Sequence, residues 1–319
     1  MGKDLRIVFF GTPEFAETSL KRLVEDKYNV VGIVTVCDKP AGRGRKLHES
    51  KVKQYAKSQN LPILQPKNLK SEDFINELKA LNADLFIVVA FRMLPKIVWE
   101  LPKYGTFNLH TSLLPEYRGS APINWVIING EKQTGVTTFF IDDKIDSGEI
   151  LLQREIPIAD DEIFGELYDK MQHIGADLLV ETVNLIANGK AKPKKQPQET
   201  TKLAPKLFSQ DCHIDWTKNI DDIYNFIRGL NPYPTARTQI IDGEKITDTL
   251  IYNVSKEYVE HSFEIGCLVI SKKQLKVAVN GGYIVLNDIK ISGKKQMDII
   301  SFLNGYKFNS ENPCVFKSN

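Results

Sequence analysis

In the run Asn108-Leu109-His110-Thr111-Ser112-Leu113-Leu114-Pro115-Glu116-Tyr117-Arg118-Gly119, a carboxamide and an imidazole stand two residues apart at the end of a short β-rich segment. Alternate side chains of a strand leave on the same face, so Asn108 and His110 point together while Leu109 turns into a core. Two such groups can donate hydrogen bonds to an oxygen that gains negative charge. A third group, Asp146, lies in the polar stretch Ile141–Glu149 beside Gly148. Alone, Asp146 is an ordinary turn residue, and a lone strand histidine is more often structural than catalytic. The company changes the reading: if the topology brings Asp146 within about 4 to 6 Å of His110, its charge would favour the imidazolium, a better oxyanion partner and proton source. No Ser or Cys stands beside a base as a covalent acyl intermediate would require.

These residues need a scaffold that brings them to one edge. Leu5–Phe10 is an apolar run ended by Gly11-Thr12-Pro13, and Val30–Val36, Asp84–Val89 and Thr106–Leu109 repeat the theme. Helical patterns near Glu49–Ser58, Ser71–Leu81 and Pro95–Glu100 separate the runs. Alternating strand and helix predicts a mostly parallel sheet with helices on both faces. Ligands of such sheets sit beyond the carboxyl ends of the strands, where Asn108 and His110 fall. Val136–Ile141 and Ile150–Pro157 read as further strands, and Ile163–Asn188 as a long helix stopped by Gly189. The single glycine of Gly11-Thr12-Pro13 does not make a dinucleotide fingerprint, and Gly42-Arg43-Gly44 lacks the ending of a phosphate loop.

The texture then changes. Lys190–Lys206 holds six lysines against the single acid Glu199, three prolines and no hydrophobic period, and reads as a linker. Beyond it, a helix over Asn219–Leu230 precedes short strands, with turns at Asp242-Gly243 and at Asn280-Gly281 between Leu275–Val279 and Tyr283–Ile289. This segment predicts a small β-barrel of the oligonucleotide-binding kind, closed by a helix over Met297–Asn304. The expected organisation is a domain over 1–189, a basic linker over 190–206 and a barrel over 207–319.

The 319 residues and ordinary apolar and charged fractions suit a globular chain with two cores. A net charge of +2 argues against indiscriminate coating of nucleic acid. Two local basic features stand out: the linker lysines and the cluster Lys39, Arg43, Arg45 and Lys46. No run approaches the roughly 20 apolar residues of a membrane span, and the first apolar run is too short for a signal peptide, so no membrane association and a cytoplasmic location are expected. Cys37, Cys212, Cys267 and Cys314 lie far apart without a C-x-x-C, so no metal site is expected.

Asn108, His110 and Asp146, with Ser112–Gly119, resemble the catalytic set and folate signature of the 10-formyltetrahydrofolate-dependent formyltransferase family. Within it, Gly11-Thr12-Pro13-Glu14-Phe15, Asp38–Lys46 and the ending Ile291–Met297 are similar to the branch that acts on methionyl-initiator tRNA. The resemblance spans essentially the whole chain. It implies a Rossmann-like N-terminal domain with an oligonucleotide-binding-like barrel, Asn108, His110 and Asp146 as catalytic residues, and 10-formyltetrahydrofolate as co-substrate. It also implies a folate pocket built from Phe91, Arg92, Met93, Leu94, Ser112, Leu113, Leu114 and Pro115. Lys39, Arg43, Arg45 and Lys46 would face the tRNA in a basic loop, the linker lysines would add sequence-blind attraction, and the barrel would bind tRNA. A monomer is expected. Thr111 stands where the family often has Gly or Ala, and Phe91-Arg92 where Tyr followed by Gly or Arg is common; the Phe91–Leu94 segment bears on folate affinity. The alternative acceptor is a nucleotide-linked sugar amine; a non-catalytic RNA-binding protein would leave the His110 constellation unexplained.

Overall fold

The computed structural model describes residues 2–41, 46–197, 199–200, 202–310 and 312–315. The chain forms two compact units: Met1–Gly119, Thr134–Pro157 and Tyr168–Leu203 make the first, and Ser120–Gln133, Ile158–Leu167 and Ala204–Asn319 the second.

The first unit is built on seven strands: β1 Ile7–Gly11, β2 Val30–Val34, β3 Ile63–Leu64, β4 Leu85–Val89, β5 Thr106–His110, β6 Gln133–Phe140 and β7 Ile150–Pro157. They lie in the order β7-β6-β5-β4-β1-β2-β3. β1 to β5 are mutually parallel, and β6 runs antiparallel to β5. Every residue of β1 and β4 is buried, which is why both read as continuous apolar runs. Their alternation is still visible in packing: Val8, Phe10, Phe86 and Val88 share one core with Phe74 and Leu78 of the Glu72–Ala80 helix. On β5, Leu109 faces the Phe164–Ala187 helix, where a Cβ on Gly175 would come within 3.0 Å of Leu109 Cδ2. The pleat therefore turns Asn108 and His110 to the opposite face. Sequence order reverses on either side of β1, so the carboxyl ends of β1, β4 and β5 surround a topological switch point.

The second unit carries β8 Ala236–Asp242, β9 Lys245–Tyr258, β10 Leu268–Ile270, β11 Leu275–Val279, β12 Gly282–Ile291 and β13 Cys314–Val315, in the order β10-β11-β12-β9-β8-β13. A bridge between Cys267 and Cys314 joins the two ends of that order and closes the sheet. The strict buried and half-buried alternation of β8 is the signature of a sheet with one covered face. Inside sit Trp216, Ile220, Ile223 and Ile227, three of them from the Ile220–Gly229 helix, against Ile251, Val277 and Ile289. The Asn280-Gly281 hairpin forms as expected, with Gly281 at φ 93°.

Candidate active site

The end of β5 is held by hydrogen bonds on all sides. His110 is 6% exposed, and its Nε2 lies 3.0 Å from the carbonyl oxygen of Tyr117. A carbonyl only accepts, so that nitrogen carries a proton and donates it. The carbonyl reaches His110 because Tyr117 turns through the left-handed region at φ 59°. The other ring nitrogen, Nδ1, faces Asp146 Oδ2 at 3.8 Å, too far for a direct hydrogen bond. Asp146 is itself in the left-handed region, at φ 51°, and its Oδ2 accepts the backbone N–H of Gly119 at 2.9 Å. Two residues on, a glycine is obligatory, since a Cβ on Gly148 would stand 1.7 Å from the carbonyl oxygen of Phe140.

Asn108 pairs by register with Val88 of β4 and Phe139 of β6. Its amide is half-buried and, among the described residues, makes no side-chain hydrogen bond. At the end of β1 the Thr12 hydroxyl is buried and, among the described residues, has no hydrogen-bond partner. Two unspent polar groups thus stand at the carboxyl ends of adjoining parts of the sheet, which is the condition of a site made to receive polar atoms from a ligand.

The loop over these strand ends is itself rigidly tied. Ser112 Oγ donates to the carbonyl of Glu116 at 2.7 Å, Thr137 Oγ1 donates to the carbonyl of Ser112 at 2.6 Å, and Leu114 N donates back to Thr137 Oγ1 at 3.2 Å. Gln153 Nε2 donates to the carbonyl of Leu114 at 2.9 Å, and the Leu114–Pro115 peptide is cis. Ser112 and Leu114 are buried, whereas Leu113 and Pro115 are half-buried. On the neighbouring strand end the chain leaves β4 through Ala90 at φ 46°, which sets Phe91 edge-on to Phe10 with centroids 5.8 Å apart. Arg92 donates to the carbonyls of Pro66 and Lys67, Met93 is 65% exposed, and Leu94 packs into the core beside Phe91.

The Lys190–Lys206 stretch, expected as a linker, is tied down along the described part of its course. Lys194 exchanges both backbone hydrogen bonds with Ile150, each 2.8 Å. Gln196 Nε2 donates to the carbonyls of Asp146 at 3.1 Å and Gly148 at 2.7 Å, while its Oε1 accepts from Arg118 at 2.7 Å. A cavity of about 440 Å³ opens beside them, lined among others by Arg118, Asp142, Lys144, Gly148 and Lys195. Tyr117, Thr137, Gln153 and Gln196 are the supporting residues that sequence reasoning did not find. Only Tyr117 carried a signal, as part of the motif itself.

Of the basic cluster, Lys39 is exposed at the base of a two-stranded ribbon in which Lys39 pairs with His48 and Ala41 with Lys46. Arg43 and Arg45 lie outside the described residues, as does the Lys46 side chain. Among the described residues, no three His, Cys, Asp or Glu side chains are placed to hold a metal, and no helix is long and apolar enough to cross a membrane.

Residues 5–183 match the formyl transferase family, and residues 206–307 match its C-terminal domain. The chain belongs to the formyl transferase family. As a formyltransferase it is 51% identical to the methionyl-tRNA formyltransferase of Flavobacterium johnsoniae over 310 residues, 97% of this chain and 98% of the relative. It is 52% identical to that of Phocaeicola vulgatus over 318 residues, 97% of this chain and 98% of the relative. Among solved structures, an N-formyltransferase from Helicobacter canadensis, in complex with folinic acid and dTDP-3-aminofucose, has the same fold with a TM-score of 0.62. At 20% identity it covers 88% of this chain and 98% of its own.

Proposed function

We propose that this formyltransferase moves the formyl group of 10-formyltetrahydrofolate to the free amino group of methionyl-initiator tRNA, with Asn108, His110 and Asp146 as its catalytic residues. The observation that carries the reading is the tip of β5, where a partnerless amide stands beside an imidazole whose Nδ1 faces a carboxylate at 3.8 Å. The identity of about one half to methionyl-tRNA formyltransferases over nearly the full chain supports this acceptor.

When bound, the folate supplies an activated formyl carbonyl on a nitrogen leaving group. The unspent polar atoms of Asn108 and Thr12 fit a ligand of that kind. Phe91 and Leu113 keep apolar surface for it, while Arg92 and Met93 flank the segment. Leu94 and Ser112 contribute differently: one side chain is in the core and the other hydroxyl is given to Glu116, so they shape the pocket wall through the backbone. Asn108 donates its amide to the oxygen that becomes negative. His110 cannot turn, because its Nε2–H is committed to Tyr117. Its Nδ1 is therefore the atom that handles protons, taking one from the attacking amine and returning it to the departing nitrogen. Asp146, fixed by Gly119, stabilises the imidazolium at that moment without needing to be protonated. Lys39, Arg43, Arg45 and Lys46 supply cations to the acceptor RNA, the barrel adds a second RNA surface, and the chain acts as a cytoplasmic monomer.

The test is a competition. Purified protein with formyl-folate is offered methionyl-initiator tRNA and, separately, a nucleotide-linked amino sugar. Formylation of the aminoacyl-tRNA, with a turnover on the sugar at least about a hundredfold lower, is expected; the reverse preference would overturn the acceptor assignment.

A further inference from the structure

Two of the four cysteines meet where the barrel closes. Cys267, just before β10, lies opposite Cys314 of β13 in an antiparallel bridge. The hydrogen bonds around them run from Leu268 N to Pro313 O and from Val315 N to Gly266 O, each 2.9 Å. Neither cysteine donates or accepts in that pattern, so the two form a non-hydrogen-bonded pair, the closer of the two antiparallel pairings. The α-carbons of such a pair stand about 4.5 Å apart with both side chains on one face, inside the roughly 4.4–6.8 Å range that a disulfide spans. The face is the outer one. Leu268 and Val315, next in sequence to each cysteine, are 5% and 1% exposed and belong to the barrel core, so the pleat directs both thiols outward, where they are half-exposed.

The remaining cysteines are placed differently. Cys212 is fully buried, burial pushes its thiol pKa up, and its Sγ donates to the carbonyl of Phe208. Cys37 is the one cysteine of the first unit, with no second cysteine there to meet it. Only the seam pair combines proximity, a shared face and access.

We propose that Cys267 and Cys314 are a reversible oxidation site, and that the disulfide between them locks the barrel seam. The co-reactant is a low-molecular-weight disulfide. One cysteine thiolate attacks it, forming a mixed disulfide and releasing one small thiol; the second cysteine loses its proton, attacks the protein-bound sulfur and releases the other small thiol. The protein dithiol is oxidised by two electrons and the small disulfide is reduced by two. The consequence follows from how short the described seam is: among the described residues β13 spans two residues and pairs with β8 through Ile240–Val315 and Ile241–Cys314, while the segment before it is held by Asn309 N and Ser310 N donating to the Asp242 carboxylate. A covalent bridge there ties residues 267 and 314 in the unfolded chain as well, removing much of its freedom.

The full chain would be equilibrated across a series of oxidised-to-reduced glutathione ratios, alkylated, digested and analysed by mass, with a parallel thermal melt. Expected are the loss of two of four titratable thiols, one linked peptide pair joining Cys267 to Cys314, and a rise in Tm on the order of 5 °C, reversed by reductant. Cys267→Ser and Cys314→Ser should each abolish the linkage and the rise. Four thiols persisting at a ratio that oxidises dithiothreitol would overturn the proposal, as would glutathione adducts that never resolve or a linkage through Cys37 or Cys212. A bridge that forms but leaves Tm unchanged would overturn the lock.

Discussion

The tip of β5 and the interior of the barrel are both densely packed, yet different forces hold them. At the tip, His110, Ser112, Thr137, Gln153 and Asp146 are bound to backbone groups one hydrogen bond at a time. In the barrel, Trp216, Ile220, Ile223, Ile227 and their neighbours fill space, and the Trp216 indole N–H to Thr238 is a polar contact within an otherwise apolar cluster. Hydrogen bonds fix direction, whereas apolar burial fixes volume and supplies most of the stability. Substitutions at the tip should therefore cost chemistry before stability, and those in the barrel the reverse.

The largest effect expected is that of His110→Ala. Removing a positioned acid–base group costs roughly 10²–10⁴-fold in kcat, while losing one neutral hydrogen bond costs about 1 kcal/mol of stability. Single-turnover formylation and a denaturant melt on the same preparation read both quantities. Near-normal turnover would remove His110 from its central role and erase the contrast. Asn108→Ala should follow, at about 10²–10³-fold, the usual loss for an oxyanion donor. Asp146→Asn sharpens the case further, since the amide oxygen can still accept from Gly119 N while the charge is gone. A loss of more than about tenfold in kcat is expected if the charge acts on the imidazolium. Retained activity would reduce Asp146 to a loop support.

On the barrel side, Trp216→Ala empties a fully buried site and should cost about 3–5 kcal/mol, read as a lowered unfolding midpoint of the second unit. Trp216→Phe should recover most of it, because volume rather than a particular hydrogen bond does the holding. Were Trp216→Ala to leave the midpoint in place, apolar burial would not be the barrel's support.

The same difference governs what the sequence made legible. Strands β1 and β4 announced themselves as apolar runs because both their faces are buried, and the Asn280-Gly281 hairpin was visible because only special residues make that turn. Asn108 and His110 could be placed together from the two-residue period alone, and the structure brings Asp146 to the imidazole. What stayed hidden was long-range and polar. Thr137 looks like any threonine of a β-strand, and nothing local says that its hydroxyl serves two groups of a loop more than twenty residues earlier. The Pro122–Ile128 helix also went unseen, being short and lying in the second unit although its neighbours in sequence lie in the first.

Gln196 is the hardest case and gives the smallest predicted effect. Composition places it among prolines and lysines, where spacing carries no structural period. In the fold its amide nevertheless ties the Asp146 loop at two carbonyls, with Arg118 holding its oxygen. It touches none of the proposed reacting atoms and acts only through the position of Asp146. Gln196→Ala removes two neutral donors, together worth about 1–3 kcal/mol of local order, of which part reaches the reaction as a misplaced carboxylate. A fall in kcat of about fivefold is expected, with KM for the folate little changed and Gln196→Glu failing to rescue, since a carboxylate cannot donate to those carbonyls. A rise in KM at constant kcat would instead place Gln196 in substrate binding through the adjoining cavity, and the distinction between directing and filling residues would then have to be drawn elsewhere in the loop.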